Sequence, residues 1–275
     1  MNFNGVLLCT DLDGTLLRND KSISKKNIEA IEYFKAHGGM FTIVTGRMPF
    51  YVQEICEIVK PNVPFGCING GGVYDNAKQE YTWTYPLGDA VHDILDDVQR
   101  QFPEMGIFVS CFEKGYFSKD STALAWFRKV TNMPNLVCAH RDVPEAIAKI
   151  MFGHEDEKQI LALKAFLDAH RLADKFSFVR SEKMLYEILP KGSSKALCLE
   201  KMTEYLNVTR QNVIAIGDYH NDIAMLKFAG TGVAVANAQP EVQAVSDYIT
   251  VSNEENAIAQ VIADIENGII AVGSR

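Results

Sequence analysis

Short apolar runs alternate with amphipathic stripes at both ends of the chain. Val6-Leu7-Leu8-Cys9-Thr10 is continuous, apolar and β-leaning, the pattern of a buried strand. Ser24 offers an N-cap to a helix carrying Ile28, Ile31 and Phe34, and Gly38-Gly39 ends it. Met40–Val44 reads as a second buried strand, closing at Thr45-Gly46-Arg47, and strand–helix–strand in this rhythm predicts a parallel βαβ unit. Pro49 suits the start of a helix towards Val59. Phe65–Ile68 is a third short strand, Asn69-Gly70-Gly71-Gly72 turns the chain, and Val73–Asp75 with Tyr81–Tyr85 predict a hairpin across Asn76-Ala77-Lys78. The glycine run lacks the GxGxxG spacing of a dinucleotide-binding turn, and no helix follows it at once.

From about Leu87 the rhythm changes. Val91, Ile94, Leu95, Val98 and Phe102 share one helical face; Ile107–Phe112 and Tyr116-Phe117 are strand-like; residues 121–131 are helical. Lys149–Phe152 is a strand, Ile160, Leu163, Phe166 and Leu167 mark another helix, and Phe176–Val179 and Leu185–Leu189 are strands. Helices framed by paired strands predict an α+β module with its own sheet. The parallel pattern then returns: a helix with Leu197, Leu199, Met202 and Leu206, strands at Asn212–Ile216 and Gly232–Val235, a helix from Pro240, an edge strand at Tyr248-Ile249, and a closing helix with Ala257, Ile258, Val261, Ile262 and Ile265. The expected division is residues 1–86 and 191–275 as a discontinuous core, with 87–190 inserted.

At 275 residues the chain is long enough for one large domain or two, and 47% hydrophobic residues suffice for their cores. A net charge of -8 and a pI near 5.3 argue against a general nucleic-acid surface, which needs clustered Lys and Arg. Six cysteines stand singly, without a CxxC pair, as reduced and mostly buried thiols would. Neither a signal peptide nor a run of about 18 apolar residues is visible, so a cytoplasmic protein is expected. Oligomeric state is not encoded in any readable pattern; a monomer is compatible with the sequence.

Acidic residues recur where apolar strands end. Asp11 and Asp13 follow the first strand and lead into a turn at Gly14; in open α/β sheets ligands bind outside the carboxyl ends of strands. If the extended geometry persists, the two acids share one side, and their repulsion favours a divalent cation, with carboxylate oxygens suiting Mg²⁺. Asp218 stands at the end of a later strand and could complete that site; Asp222, one helical turn on, could back it. Asn221 offers both donor and acceptor groups, whereas His220 suits an exposed position, because Mg²⁺ prefers oxygen. Thr45 could bind a phosphoryl oxygen or cap the next helix. Lys195 lies in the first turn of a helix, where the dipole disfavours a cation unless an anion is near.

Taken together, DLDGT, VTGR, KGSSK and GDYHND, in this order at strand ends, resemble the four motifs of the haloacid dehalogenase superfamily. The insertion between the second and third motifs resembles the α/β cap of its Cof-type sugar phosphatase branch, and INGGG is similar to that branch's turn before the cap. The resemblance covers essentially the whole chain. It implies an α/β fold, a Rossmann-like doubly wound parallel sheet core with an inserted α+β cap domain.

The resemblance also implies roles. Asp11 would be the nucleophile that forms an aspartyl-phosphate, and Asp13 the acid, then the base, for leaving alcohol and attacking water. Mg²⁺ would be held by the Asp11 carboxylate, the Asp13 backbone carbonyl and Asp218, with Asp222 as orienting support or added ligand. Thr45, Gly46, Lys195 and Asn221 would hold the phosphate, and the cap would close over the site and select the organic part of the substrate. The expected activity is a Mg²⁺-dependent phosphatase of small phosphorylated metabolites, sugar phosphates foremost. Two other readings share the residues: a phosphotransferase or mutase on the same scaffold, and a non-catalytic sugar-phosphate sensor, against which the Asp11/Asp13 pair argues.

Overall fold

The first strand, Leu7–Thr10 (β1), has no exposed residue, as its unbroken apolar run requires. Ser24 caps the helix Lys25–Ala36 (α1), its hydroxyl accepting from the Asn27 amide at 3.1 Å, and Ile31 and Phe34 face the core. Met40–Ile43 (β2) follows, then a single 3₁₀ turn at Pro49–Val52 and the helix Gln53–Val59 (α2). The computed structural model that shows this arrangement describes residues 2–273. Its contacts divide the chain into two units, one made of residues up to Thr84 and from Ser194 on, the other of Tyr85–Ser193.

Phe65–Cys67 (β3), Gly72–Asp75 (β4) and Glu80–Thr84 (β5) form an antiparallel sheet of their own. The third strand of the sequence therefore does not extend the parallel sheet, which it meets at a bridge between Val44 and Gly66. The antiparallel ladder with β4 has a local reason: the chain turns back within four residues of Cys67, too short for the crossover a parallel neighbour needs.

The inserted unit contributes Val91–Gln101 (α3), Gly106–Cys111 (β6), Gly115–Lys119 (β7), Thr122–Val130 (α4), Ile147–Gly153 (β8), Glu157–Asp168 (α5), Phe176–Glu182 (β9) and Leu185–Pro190 (β10). Its antiparallel sheet runs β7-β6-β8-β10-β9. Val91, Ile94, Leu95 and Val98 of α3 pack with Ile160, Leu163 and Leu167 of α5 on Ile107, Val109, Ile150, Phe152 and Ile188. Alternation sends Phe108, Phe117, Met151 and Leu185 into a second cluster with Leu124 of α4.

The chain then returns through Lys195–Leu206 (α6), Val213–Gly217 (β11), Ile223–Phe228 (α7), Thr231–Ala234 (β12), Pro240–Val245 (α8), Tyr248–Ile249 (β13) and Ala257–Glu266 (α9). The parallel sheet has the order β13-β12-β11-β1-β2. From β1 the chain moves one way to β2, and from β11 the other way to β12 and β13. The boundary between β1 and β11 is thus the switch point of a doubly wound sheet, where a crevice opens at the strands' carboxyl ends. The six cysteines are free thiols, five of them buried. No described helix is long and apolar enough to cross a membrane.

Candidate active site

Two strand ends build the site. Asp11 is the first residue past β1, and its amide donates to the Ile216 carbonyl of β11 at 2.9 Å, which ties it to the switch point. Asp218 is the first residue past β11. A 3₁₀ turn at His220–Asp222 then brings Asp222 back, so that its Oδ2 accepts from the amides of Asp218 and Tyr219, both at 3.0 Å. The carboxylates of Asp11, Asp218 and Asp222 can place one oxygen each within 4.8 Å of one another, and they are the group of this kind among the described residues.

Lys195, the first helical residue of α6, supplies the local cation. Its ammonium is 1% exposed and donates to Asp11 Oδ1 at 2.6 Å and Asp222 Oδ1 at 2.5 Å. The anions that a lysine at a helix N-terminus requires are therefore present. Burial works against its charge, but Asp11 and Asp222 outweigh it and hold the pKa above the ordinary lysine value. One ammonium does not balance three carboxylates. Burial raises Asp11 well above the carboxylate range, and Asp222 and Asp218 add to the rise against the pull of Lys195. Burial and then Asp222 push Asp218 up to about 6, although Thr15 donates to its Oδ1 at 2.9 Å. Crowded hard oxygens with an excess of negative charge form a donor set that fits a divalent cation.

Asp13 lies elsewhere. Extended geometry stops at Thr10, and the Leu12–Thr15 turn redirects the next acid. The Asp13 carboxylate accepts from Arg47 Nε at 2.9 Å, Arg47 Nη2 at 2.6 Å and Lys21 Nζ at 2.8 Å. Burial alone would raise its pKa, but these bonds and charges hold it below the usual carboxylate range. The shared side expected of Asp11 and Asp13 is thus not seen, and the Asp13 carboxylate is not one of the clustered three. Gly14 makes the turn at φ +80°; a Cβ there would fall 2.5 Å from Asp218 Oδ2.

Thr45 is buried, and its hydroxyl accepts from the Arg47 amide at 3.1 Å, a turn-capping contact. Gly46 backs onto Asn69, whose amide a Cβ would approach to 2.8 Å. Asn69 is buried in the left-handed conformation and accepts from Asn221 Nδ2 at 3.1 Å. His220 is exposed and faces Glu241 at 3.7 Å. The residues that the sequence did not single out are Thr15, Lys21, Arg47 and Asn69. Thr15 and Arg47 stood inside motifs already noticed; Lys21 gave no signal, because a lysine at φ +67° in a loop is not announced by its residue type.

Comparison with known proteins places this geometry. A family model described as haloacid dehalogenase-like hydrolase matches residues 8–262. A 5-amino-6-(5-phospho-D-ribitylamino)uracil phosphatase of Bacillus subtilis is 29% identical over 267 residues, covering 94% of this chain and 96% of its own. A solved haloacid dehalogenase-like hydrolase from Bacteroides thetaiotaomicron superposes with a TM-score of 0.84 at 28% identity, over 94% of this chain and 99% of that one. A Thermotoga maritima protein, 23% identical, shares the fold at a TM-score of 0.82, over 96% of this chain and 97% of that one. With nearly its whole length matched, the chain belongs to the haloacid dehalogenase-like hydrolases, in their Cof-type branch.

Proposed function

We propose that the chain is a Mg²⁺-dependent phosphatase that hydrolyses small phosphomonoesters, sugar phosphates among them, through an aspartyl-phosphate on Asp11. The observation that carries this reading is the buried contact of Lys195 with Asp11, at the switch point and beside Asp218. A carboxylate held by a charged donor at a strand end is positioned for attack, and the same ammonium offsets negative charge on a phosphoryl group. An Asp11 oxygen bonds to phosphorus as the ester oxygen leaves, and Asp13 gives that oxygen a proton. Asp13 then takes a proton from water, which attacks the phosphorus and restores the Asp11 carboxylate. In the structure Asp13 is ionised and held by Arg47 and Lys21, so its proton transfer requires an exchange of those bonds.

The Thr45 hydroxyl, the Gly46 turn, Lys195 and Asn221 hold the phosphate in this scheme. Asp11, the Asp13 carbonyl and Asp218 would hold Mg²⁺, which supplies charge neutralisation at the phosphoryl oxygens. Asp222 fits the orienting role better than that of a ligand, because both its oxygens already accept hydrogen bonds. The inserted unit is assigned the choice of leaving group.

The test is phosphate release from a panel of phosphorylated metabolites, with Mg²⁺ and with chelator. The panel includes the ribitylaminouracil phosphate named for the Bacillus relative. Release is expected in Mg²⁺ only, with free phosphate as product. Transfer of the phosphoryl group to another hydroxyl, or absence of turnover on every ester, would reject the reading.

A further inference from the structure

A third loop reaches the two strand ends that carry the candidate metal ligands. It joins β12 to α8 and contains no titratable side chain: Val235-Ala236-Asn237-Ala238-Gln239. Its two ties go to the two halves of the site. Asn237 Nδ2 donates to the Gly14 carbonyl at 2.8 Å, inside the turn that follows Asp11 and Asp13. Two residues on, the Gln239 amide donates to the Asp218 carbonyl at 3.0 Å. Asn237 is itself fixed, because its Oδ1 accepts from the Asn253 amide at 2.9 Å. Asn253 is buried and donates to the Leu17 carbonyl at 3.0 Å, at the far end of the same turn.

The position of Gly14 is not a free variable. A Cβ on Gly14 would sit 2.5 Å from Asp218 Oδ2, so the turn lies directly against that carboxylate. A shift of Gly14 moves the peptide that follows Asp13 and opens or closes the space beside Asp218. From this geometry we infer that Asn237 is a positioning residue for the metal site: its amide sets the distance between the Asp11–Gly14 turn and Asp218. The inference rests on the metal-dependent reading above. It assigns a function to an exposed asparagine that touches none of the three carboxylates. Partners outside the ligand set change metal affinity by about 10–100-fold when removed, and Asn237→Ala belongs in the lower part of that range, because Thr15 still holds Asp218.

The experiment is Mg²⁺ binding to the resting full-length protein by isothermal titration calorimetry, alongside the Mg²⁺ dependence of phosphate release. Asn237→Ala should weaken binding about tenfold, raise the half-saturating Mg²⁺ concentration by the same factor, and leave kcat at saturating Mg²⁺ within about twofold of the parent. Asn237→Asp, which keeps the shape but loses the donor to Gly14, should behave alike. Gln243→Ala removes a bond from Gln243 Nε2 to the Ala236 carbonyl in the same loop, and should leave Mg²⁺ affinity unchanged. Equal Mg²⁺ affinity in parent, Asn237→Ala and Asn237→Asp would overturn the inference while leaving the phosphatase reading intact. Equal weakening by Gln243→Ala would reduce Asn237 to general loop stability and also overturn it. A parent protein that binds no Mg²⁺ would remove both.

Discussion

Each unit buries a lysine against carboxylate, and the two burials differ in kind. In the parallel unit Lys195 sits where α6 begins and faces Asp11 and Asp222, with Asp218 close by. In the inserted unit Lys149 lies within β8 and faces Glu187 of β10 at 2.8 Å, with side-chain exposures of 9% and 3%. In the second arrangement the Lys149 ammonium donates to Glu187 Oε1 between the neighbouring strands β8 and β10. The first leaves negative charge over, and the pKa values of Asp11 and Asp218 rise accordingly. A buried ion pair is a structural device that packed apolar residues could replace; a cluster with more carboxylates than cations is a candidate site for another cation. The contrast teaches that charge imbalance, rather than burial, separates the candidate site from the scaffold.

The largest expected effect breaks the site at its proposed nucleophile. Asp11→Asn should lower turnover by at least about 1,000-fold, since the residual path lacks the covalent step. The fold should survive, because the change is nearly isosteric and relieves repulsion from Asp218 and Asp222. Phosphate release and a thermal melt check the two halves of this statement; turnover near that of the parent would remove Asp11 from the chemistry.

The next effect sharpens the comparison itself. Glu187→Leu removes the carboxylate to which the buried Lys149 donates and should cost about 3–5 kcal/mol, while the double change Lys149→Met with Glu187→Leu should recover most of it. Lys195→Met should also destabilise, but added Mg²⁺ should restore part of that loss by replacing the missing positive charge. Denaturant melts with and without Mg²⁺ separate the cases. Rescue of Glu187→Leu by Mg²⁺ would erase the distinction between the two lysines.

Acid should act in opposite directions through Asp218 and through His140. The folded-state pKa of Asp218 is about 6 against an ordinary value of 3.8, so the folded chain takes up a proton that the unfolded chain does not take until lower pH. Its contribution to metal-free stability therefore grows as pH falls from about 6 towards 4. Mg²⁺ must displace that proton, so apparent affinity should drop about tenfold per unit below pH 6. In the inserted unit burial holds His140 below its ordinary 6.5. That contribution is complete above pH 6.5 and is lost as pH falls from there towards the folded value. Mg²⁺ titrations at pH 7, 6 and 5 check the first part; an affinity independent of pH would show that Asp218 does not bind the ion.

The sequence disclosed the strands and caps because these depend on neighbours. The run at β1, the Ser24 cap and the stripe on α3 were all readable from a few adjacent residues. The strand-end location of Asp11 and Asp218 and the helix-start location of Lys195 followed from the same patterns. The shared side considered for Asp11 and Asp13 depended on extended geometry, which ends with β1 at Thr10, so alternation does not place the Asp13 carboxylate. The sequence marked β3 as a strand but not its neighbours, an antiparallel ladder with β4 and a parallel bridge from Gly66 to Val44, because apolar character does not choose partners. Asn237 and Lys21 gave no sequence signal: their side chains meet residues outside any local repeat, Gly14 and Asn253 for Asn237 and Asp13 for Lys21, and neither lies in a periodic pattern.

The smallest effect tests whether surface charge in the inserted unit matters at all. Asp96 accepts from Arg141 at 2.5 and 3.1 Å and from His140 Nε2 at 3.1 Å, while His140 Nδ1 meets His92 Nδ1 at 3.1 Å. The shortest of these bonds, from Arg141 Nη2, matches those of Lys195, yet Asp96 and Arg141 are open to water, where ion pairs are screened and the solvent offers competing partners. Asp96→Asn keeps the shape and removes the charge. It should cost less than about 1 kcal/mol at low salt, and less again at high salt, with Mg²⁺ affinity unchanged. His140 is buried and keeps its neighbours, so near-neutral pH is the fair condition for the measurement. A loss of several kcal/mol that salt does not reduce would mean that the His92–His140–Asp96 chain acts as a buried network rather than as surface charge, and the inserted unit would then hold a second region where charge, not packing, governs stability.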